Sequence, residues 1–472
     1  MSSHQLLKII ATLLALALIF LLTYDFYNNL FFPKGTAFGI SLVIFMGFLV
    51  ISSTILSTKI LQKFDIFSPW MGFPAFLFLI YGIGSLRWVI SETENVEILV
   101  TLAATGLLSY LTGTLFTINK IAKPDSSRSW NQTNLKIVVF GLFFAGLIGF
   151  MLFYYKAGIP IFSDDLLGGR RQIFKKGGNW LLYISRLIAP SFLIYLTYHF
   201  NFSSSQSRRF ISTIFFIITA GFMLSTASRS DTFFILFTAF IIIYYSRFDK
   251  IKLYHLSAIP LIFISIFIYG YYRVVVSNPE IIDILSDMNY VNISASDSIS
   301  SFLTYIILQL SVYSSNCLLI FDIFPAEIPF QHGKNFVLTL STILPGNQDT
   351  IGMIIKEKAG LEFVGGGVNP TMLGELYLDF GYIYIPVMMF LYGLIYRSFY
   401  DKLFTDRSCT SILLYSFLTF CFILSTTGGL FSQLSRWYYL VIFLMSVFII
   451  VSRSLLGVKV RGHNNPASGH KR

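Results

Sequence analysis

The chain has 472 residues, of which 55% are hydrophobic and 12% are charged, and its formal net charge at pH 7 is +11. Its mean hydropathy of +0.70 is typical of a polytopic membrane protein and excludes an ordinary soluble domain. The cysteines have neither the number for a disulfide framework nor the spacing to histidine of a zinc site.

The apolar runs predict an all-α fold with about twelve membrane-spanning helices. Each run is about 16 to 23 residues long, which lets a helix cross the hydrocarbon core, and the strand alternation of a membrane β-barrel is absent. The predicted spans are 6–24, 36–57, 69–90, 96–118, 135–155, 180–199, 209–226, 231–246, 253–271, 376–397, 411–427 and 437–456. Because no small-residue cleavage site follows the first span, it is predicted to be a retained helix.

These spans predict four regions: helices over residues 1–271, a long polar segment over 272–371, helices over 372–456 and a tail over 457–472. Lys and Arg are concentrated in the tail and in the loops of one face, which the positive-inside rule makes cytoplasmic. The net positive charge is therefore a topology signal that also suits anionic lipid headgroups. It does not indicate a nucleic acid partner.

The segment 272–371 is predicted to form one large extracytoplasmic loop. Structureless loops of this length are usually functional or disordered, so we expect a lid over an active site, with a plain linker as the alternative. Within it, residues 301–324 are apolar but include Gln309, Asn316 and Asp322, which are costly in lipid. We therefore predict an amphipathic or re-entrant helix at the outer side instead of a further span.

Basic residues on the predicted outer side need an explanation other than topology. Arg170 and Arg171 lie in a glycine-rich loop with Lys175 and Lys176, and Arg186 lies inside the sixth predicted span. An arginine within a span usually faces the bundle interior, and glycines beside arginines let several donors converge on one anion. Contact of the loop with outer-leaflet phosphates is the alternative.

A polar break, Ser225 to Asp231, separates the seventh and eighth predicted spans and contains Arg229. Small hydroxyl residues can satisfy backbone groups at such a break, and Asp231 is the candidate ion-pair partner of Arg229. Arg273 and Arg436 reach the same predicted face. A cluster of arginines at one depth suits a diphosphate, since each guanidinium binds phosphate bidentately and stays charged.

Three short segments carry a resemblance to a known family. They are Ser228 to Ser230, with Ala227 where the family often has glycine; Asn369 to Tyr377 followed by Phe380 to Tyr382; and Phe431 to Arg436. Together with the late position of the large loop, they resemble the bacterial oligosaccharide repeat-unit polymerases, the Wzy-type polymerases of O-antigen and enterobacterial common antigen.

The resemblance implies a glycosyltransferase-C-like membrane enzyme in the bacterial cytoplasmic membrane, with its active site facing outward. Donor and acceptor would both be glycans linked to undecaprenyl diphosphate, and a chain-length regulator is a candidate partner. Preorganised cations would stabilise the leaving diphosphate, and no cofactor or metal is expected. The predicted catalytic arginines are Arg229, Arg273 and Arg436. The predicted substrate-binding residues are Arg170, Arg171, Arg186, Glu375 and Asp379.

Attack by an acceptor hydroxyl benefits from a general base, and His332 is the candidate, with a structural hydrogen-bonding role as the alternative. Glu375 and Asp379 are four residues apart, so they share one helix face. They are predicted to contact sugar hydroxyls or to cap the start of the tenth span. Gly365 to Gly367 is predicted to be a hinge for lid closure, or a linker.

Other membrane functions give different expectations. An O-antigen ligase would use the same donor and the same arginines with another acceptor. A metal-dependent lipid-sugar glycosyltransferase usually has acidic residues in a large first outer loop, whereas here that loop, 25–35, is short. A flippase or other transporter would often show inverted repeats, and the sequence has no internal repeat.

Overall fold

The computed structural model describes residues 34–61, 64–116, 130–162, 179–202, 206–226, 228–248, 261, 264–265, 267–268, 298–342, 350–361 and 367–452. Every regular element in these ranges is a helix. Seven helices are long and apolar enough to cross a membrane: Phe38–Thr58, Gly72–Ile90, Val96–Leu115, Gln132–Phe162, Trp180–Phe200, Cys409–Gly428 and Leu434–Val451. They confirm an all-α polytopic membrane protein, while the number of twelve spans stays a prediction.

The helices before the long polar segment are α1 Lys34–Leu61, α2 Gly72–Leu77, α3 Leu86–Ile90, α4 Val96–Leu115, α5 Gln132–Ala157, α6 Asn179–Ser185, α7 Ile188–Phe202, α8 Gln206–Ser225 and α9 Arg229–Ser246. A π-helical turn, Phe78–Gly82, and a 3-10 turn, Ile83–Ser85, join α2 to α3. The later helices are α10 Ser298–Ile323, α11 Lys334–Ser341, α12 Ile351–Lys358, α13 Met372–Phe380, α14 Tyr384–Asp406, α15 Cys409–Gly428 and α16 Leu434–Val451.

Helices α4 and α14 cross in direct backbone contact. A side chain at Gly113 would collide with the carbonyl oxygen of Phe390, and one at Gly393 would collide with that of Tyr110. Small residues allow such close approach, which is how helices pack in lipid, where neighbouring helices gain little from the hydrophobic effect. This crossing fixes α14, and α13 with it, against the first half of the bundle.

Hydrogen bonds gather several of the predicted cytoplasmic loops at one end of the bundle. The Asp65 carboxylate, between α1 and α2, accepts from the hydroxyls of Tyr400 at 2.7 Å and Tyr245 at 3.1 Å. Burial raises the pKa of Asp65 to about 6, although these hydrogen bonds oppose the rise. The Trp130 indole also donates to the Thr410 hydroxyl at 2.9 Å. The loops before α2 and α5 are thereby tied to the ends of α9 and α14 and the start of α15.

The opposite end of the bundle holds several of the predicted outer residues. The Tyr438 hydroxyl donates to the Tyr183 carbonyl oxygen at 2.8 Å, and Tyr154 hydrogen-bonds to Ser225. Helix α9 connects the two ends, since it begins at Arg229 and its last turn holds Tyr245. Which end faces outward stays a prediction.

All but the last of the residues 301–324 belong to a single helix, α10, that packs across the connection between α2 and α3. The Ser314 hydroxyl donates to the Ile80 carbonyl oxygen at 2.9 Å. Two of the three polar side chains that argued against a lipid-exposed span have protein partners: Asp322 accepts from Asn95 at 2.7 Å, and Asn316 donates to the Asn369 carbonyl oxygen at 3.2 Å. An amphipathic or re-entrant placement at the outer side stays a prediction.

Candidate functional site

Two of the segments that carry the family resemblance meet in the structure. Glu375, in the first turn of α13, points into the loop between α15 and α16. Its Oε2 accepts from the backbone N–H groups of Leu430 at 2.5 Å and Phe431 at 2.9 Å, and its Oε1 accepts from that of Ser432 at 2.5 Å. The segments 369–377 and 431–436 therefore form one junction, held by a single carboxylate.

The loop can bind a carboxylate because of how α15 ends. Gly429 follows the helix at φ +70°, in the left-handed region that favours glycine, and the next N–H groups turn toward one point. Successive N–H groups in this arrangement make a concave anion-binding site. A Cβ atom at Gly429 would lie 2.9 Å from Cδ of Glu375, so close approach also requires glycine here.

The long segment contributes a third partner to the junction. The side-chain amide of Asn335, in the first turn of α11, donates to Oε1 of Glu375 at 3.1 Å, and Asn335 has no exposed surface. Burial raises the pKa of Glu375, while the N–H donors of the loop act to lower it. Glu375 thus holds together α11, α13 and the loop after α15. This role differs from the sugar contact or helix cap predicted from the sequence.

Arg436 lies beside the same loop and is buried, with 7% of its surface exposed. Its guanidinium donates to the carbonyl oxygens of Gly429 and Leu424, the latter at 3.0 Å. Both carbonyl groups lie near the C-terminal end of α15, where the negative end of the helix dipole makes a cation favourable. Among the described residues no carboxylate lies within ion-pair distance of Arg436. Its positive charge is held in place without being neutralised by a salt bridge.

His332 and Asp379 lie at the edge of the junction. The backbone N–H of His332 donates to the carbonyl oxygen of Asp379 at 2.9 Å, and that of Gly333 donates to its carboxylate at 3.1 Å. His332 is exposed, and its ring lies 5.3 Å from the ring of Phe380. The structure therefore brings His332, Asp379 and Glu375 to one place.

Arg186 forms a buried ion pair with Asp231. Its Nη2 lies 2.8 Å from Oδ2 of Asp231, and its Nε donates to the same oxygen at 3.3 Å. Asp231, the predicted partner of Arg229, is thus paired with Arg186, and a pair with Arg229, whose side chain lies outside the described residues, stays a prediction. The guanidinium of Arg186 also stacks over the Tyr183 ring at 5.2 Å. Both charges of this buried pair are compensated within the protein.

The remaining predicted arginines lie wholly or partly outside the described residues. Arg170, Arg171, Arg273 and the predicted hinge 365–367, apart from Gly367, belong to the parts that are not described. For Arg229 the structure describes only the backbone, as the first residue of α9, where Ser228 caps the helix by accepting from the N–H of Asp231 at 3.4 Å. Gathering of the arginines at one depth stays a prediction.

Tyr81 has a role at the junction that was not predicted from the sequence. The Tyr81 hydroxyl donates to the Thr426 carbonyl oxygen at 2.9 Å and accepts from the N–H groups of Met372 at 3.1 Å and Leu373 at 3.3 Å. It thereby fixes the start of α13. Tyr81 lies within an uninterrupted apolar run, where nothing distinguishes it from a core aromatic residue. Only a search for polar atoms inside predicted spans would have selected it.

Comparison with protein-family models, curated proteins and solved structures gives no match to this chain. In the ranges that the structure describes, no group of three or more His, Cys, Asp and Glu residues is arranged to hold a metal ion.

Proposed function

We propose that this chain polymerises oligosaccharide repeat units linked to undecaprenyl diphosphate, at the outer face of the bacterial cytoplasmic membrane. The observation that supports this most is the junction at Glu375. Two of the segments that resemble the Wzy-type polymerases, separate in sequence, meet there beside a buried arginine and an exposed histidine. The long segment takes part through Asn335.

The reaction needs positive charge where the diphosphate leaves. The acceptor hydroxyl forms a new bond to the anomeric carbon of the donor, the bond from that carbon to the diphosphate oxygen breaks, and the electron pair goes to the diphosphate. Fixed cations in a site shielded from water stabilise this charge strongly. Arg436 is a candidate because both of its structural partners are carbonyl oxygens, which leave its charge in place. Arg229 and Arg273 are the other proposed catalytic arginines.

The proton of the attacking hydroxyl needs an acceptor, and His332 is the proposed general base. It is exposed at the edge of the junction, and the bonds to Asp379 fix its backbone. A positioned base typically contributes about a hundredfold to ten-thousandfold to a rate. Asp379 and the basic residues Arg170 and Arg171 are proposed to bind substrate.

The proposal includes the finer topology expected from the sequence. The chain would cross the membrane about twelve times, with both termini in the cytoplasm and residues 272–371 as one outer loop over the junction. The described part of this loop contributes α10, α11 and α12, of which α11 supplies Asn335. A chain-length regulator and membrane lipids are the proposed partners.

Removal of the protein from the bacterium that carries it tests this function against the two alternatives. We expect single repeat units on undecaprenyl diphosphate to accumulate on the outer leaflet and long polymer to be lost, because units would arrive there without being joined. Mass spectrometry of extracted lipids and a membrane-impermeant glycan label would show both changes. Accumulation of long polymer on the lipid would indicate a ligase instead, and single units confined to the cytoplasmic leaflet would indicate a flippase.

A further inference from the structure

Helix α11 has two faces of different character. Asn335 and Thr339, four residues apart, are buried with 0% and 4% of their surfaces exposed, whereas Val337 and Leu340 are exposed by 64% and 38%. Residues three or four apart lie on the same side of a helix, so the first pair defines an inner face and the second pair an outer, apolar face. An apolar face that is open to water is unfavourable and calls for a partner.

The inner face of α11 is fixed to the candidate site. Asn335 donates to Glu375, and the Phe336 ring lies 5.1 Å from the Trp437 ring and 6.0 Å from the Phe431 ring. Trp437 belongs to the first turn of α16, which is long and apolar enough to cross a membrane. Aromatic residues, tryptophan above all, concentrate where a spanning helix leaves the hydrocarbon. The contacts therefore place α11 at the level of the membrane–water interface.

Helix α12, in the same long segment, is exposed in a different way. Its outward residues include Glu357 and Lys358, next to Met353. Charged side chains on an exposed surface of this kind are stable in contact with water. The two short helices therefore face different surroundings, although both belong to the same polar segment.

The same protein carries another surface that suits lipid. On α14, Val387, Leu391 and Ile395 are exposed at intervals of four residues, as expected for a stripe that faces acyl chains. The stripe continues toward the start of α14 with Ile383, which is 81% exposed. The backbone bond from His332 to Asp379 attaches the chain just before α11 to the last turn of α13, four residues before Ile383.

We infer that α11 lies in the membrane interface at this end of the bundle, with Val337 and Leu340 among the acyl chains and Asn335 in the candidate site. The helix would form a wall of the site that is seated in lipid. The exposed Lys334 at its start suits contact with lipid phosphates. One consequence rests on the proposed function: a substrate carried by a polyprenyl chain could reach the junction along α11 without leaving the membrane.

Depth-dependent fluorescence quenching tests the lipid contact in the full-length protein. A nitrobenzoxadiazole dye is attached to Val337→Cys and, as matched control, to Lys358→Cys, in vesicles of phosphatidylethanolamine and phosphatidylglycerol. The native Cys317, Cys409 and Cys421 are buried, so the dye reacts with the new thiol. The parent protein, treated with the same dye, gives the background from the native thiols. Doxyl-labelled lipid is expected to quench the dye at 337 at least threefold more than the dye at 358, with aqueous iodide giving the reverse order.

Three outcomes would overturn the inference. Iodide quenching at 337 that equals quenching at 358 would mean that α11 stands in water. Protection of 337 from both quenchers would mean that protein covers this face, either another part of this chain or a second copy. Equal doxyl quenching at the two positions would remove the contrast between α11 and α12. Because quenching requires no catalysis, these results are independent of whether the proposed polymerase reaction occurs.

Discussion

Replacement of Glu375 by alanine is expected to lower the free energy of unfolding by about 3 kcal/mol or more. The variant would leave the backbone N–H groups of Leu430, Phe431 and Ser432 without their acceptor, and the loss of a hydrogen bond to a charged group costs about 1 kcal/mol or more. Asn335 would lose its partner as well. The measurement is thermal unfolding of the purified protein in detergent, followed by loss of monodisperse material on size exclusion.

Glu357→Ala is the matched control, since Glu357 is an exposed glutamate on α12, in the same part of the chain. Surface substitutions of this kind usually change stability by about 0.5 kcal/mol or less. If Glu375→Ala were as stable as Glu357→Ala, the carboxylate would not be the structural acceptor that holds the junction. The sugar contact predicted from the sequence would then be the better explanation of Glu375.

Breaking the pair between Arg186 and Asp231 is expected to cost about 3 to 5 kcal/mol in either single variant, Arg186→Met or Asp231→Leu. Each change leaves one buried charge without its partner, at side-chain exposures of 9% and 5% in the parent protein. The double variant should recover most of the lost stability, because two well-packed apolar side chains often replace a buried ion pair without loss. Thermal unfolding of the three variants measures the coupling between the two positions.

The pair Arg397–Asp401 provides a comparison of the same chemistry at greater exposure, 17% and 21%. Arg397→Met should cost much less than Arg186→Met, since partly exposed pairs contribute little. Because Arg186 is already compensated by Asp231, we expect the stable double variant to keep the activity proposed for the chain. A stable double variant without activity would instead support the substrate-binding role predicted for Arg186.

Spanning helices were the part of the fold that the sequence could predict. The segments Phe38–Thr58, Val96–Leu115 and Cys409–Gly428 fall close to the predicted spans 36–57, 96–118 and 411–427. Lipid imposes a length and a composition on each crossing, and both can be read within one short window of sequence. The agreement therefore reflects a local constraint that needs no knowledge of how the helices pack.

The partners of charged side chains could not be predicted in the same way. Proximity in sequence favoured Arg229 as the partner of Asp231 and gave no sign of the pair that Asp231 forms with Arg186, 45 residues away. Glu375 similarly meets backbone groups 55 to 57 residues further along the chain. Such contacts depend on how helices pack and how loops turn, and neither periodicity nor charge pattern contains that information. The sequence could mark the reactive residue types, but not their mutual contacts.

The most direct test of the proposed polymerase is a reaction with purified protein, lipid-linked repeat units and no nucleotide sugar. We expect a ladder of products that differ by one repeat unit, because the only donor required is another lipid-linked glycan. Arg229→Ala, checked for normal folding, should give no ladder, since it removes a cation proposed to stabilise the leaving diphosphate. Absence of a ladder from the folded parent protein, with transport of the same lipid across vesicles instead, would contradict the account.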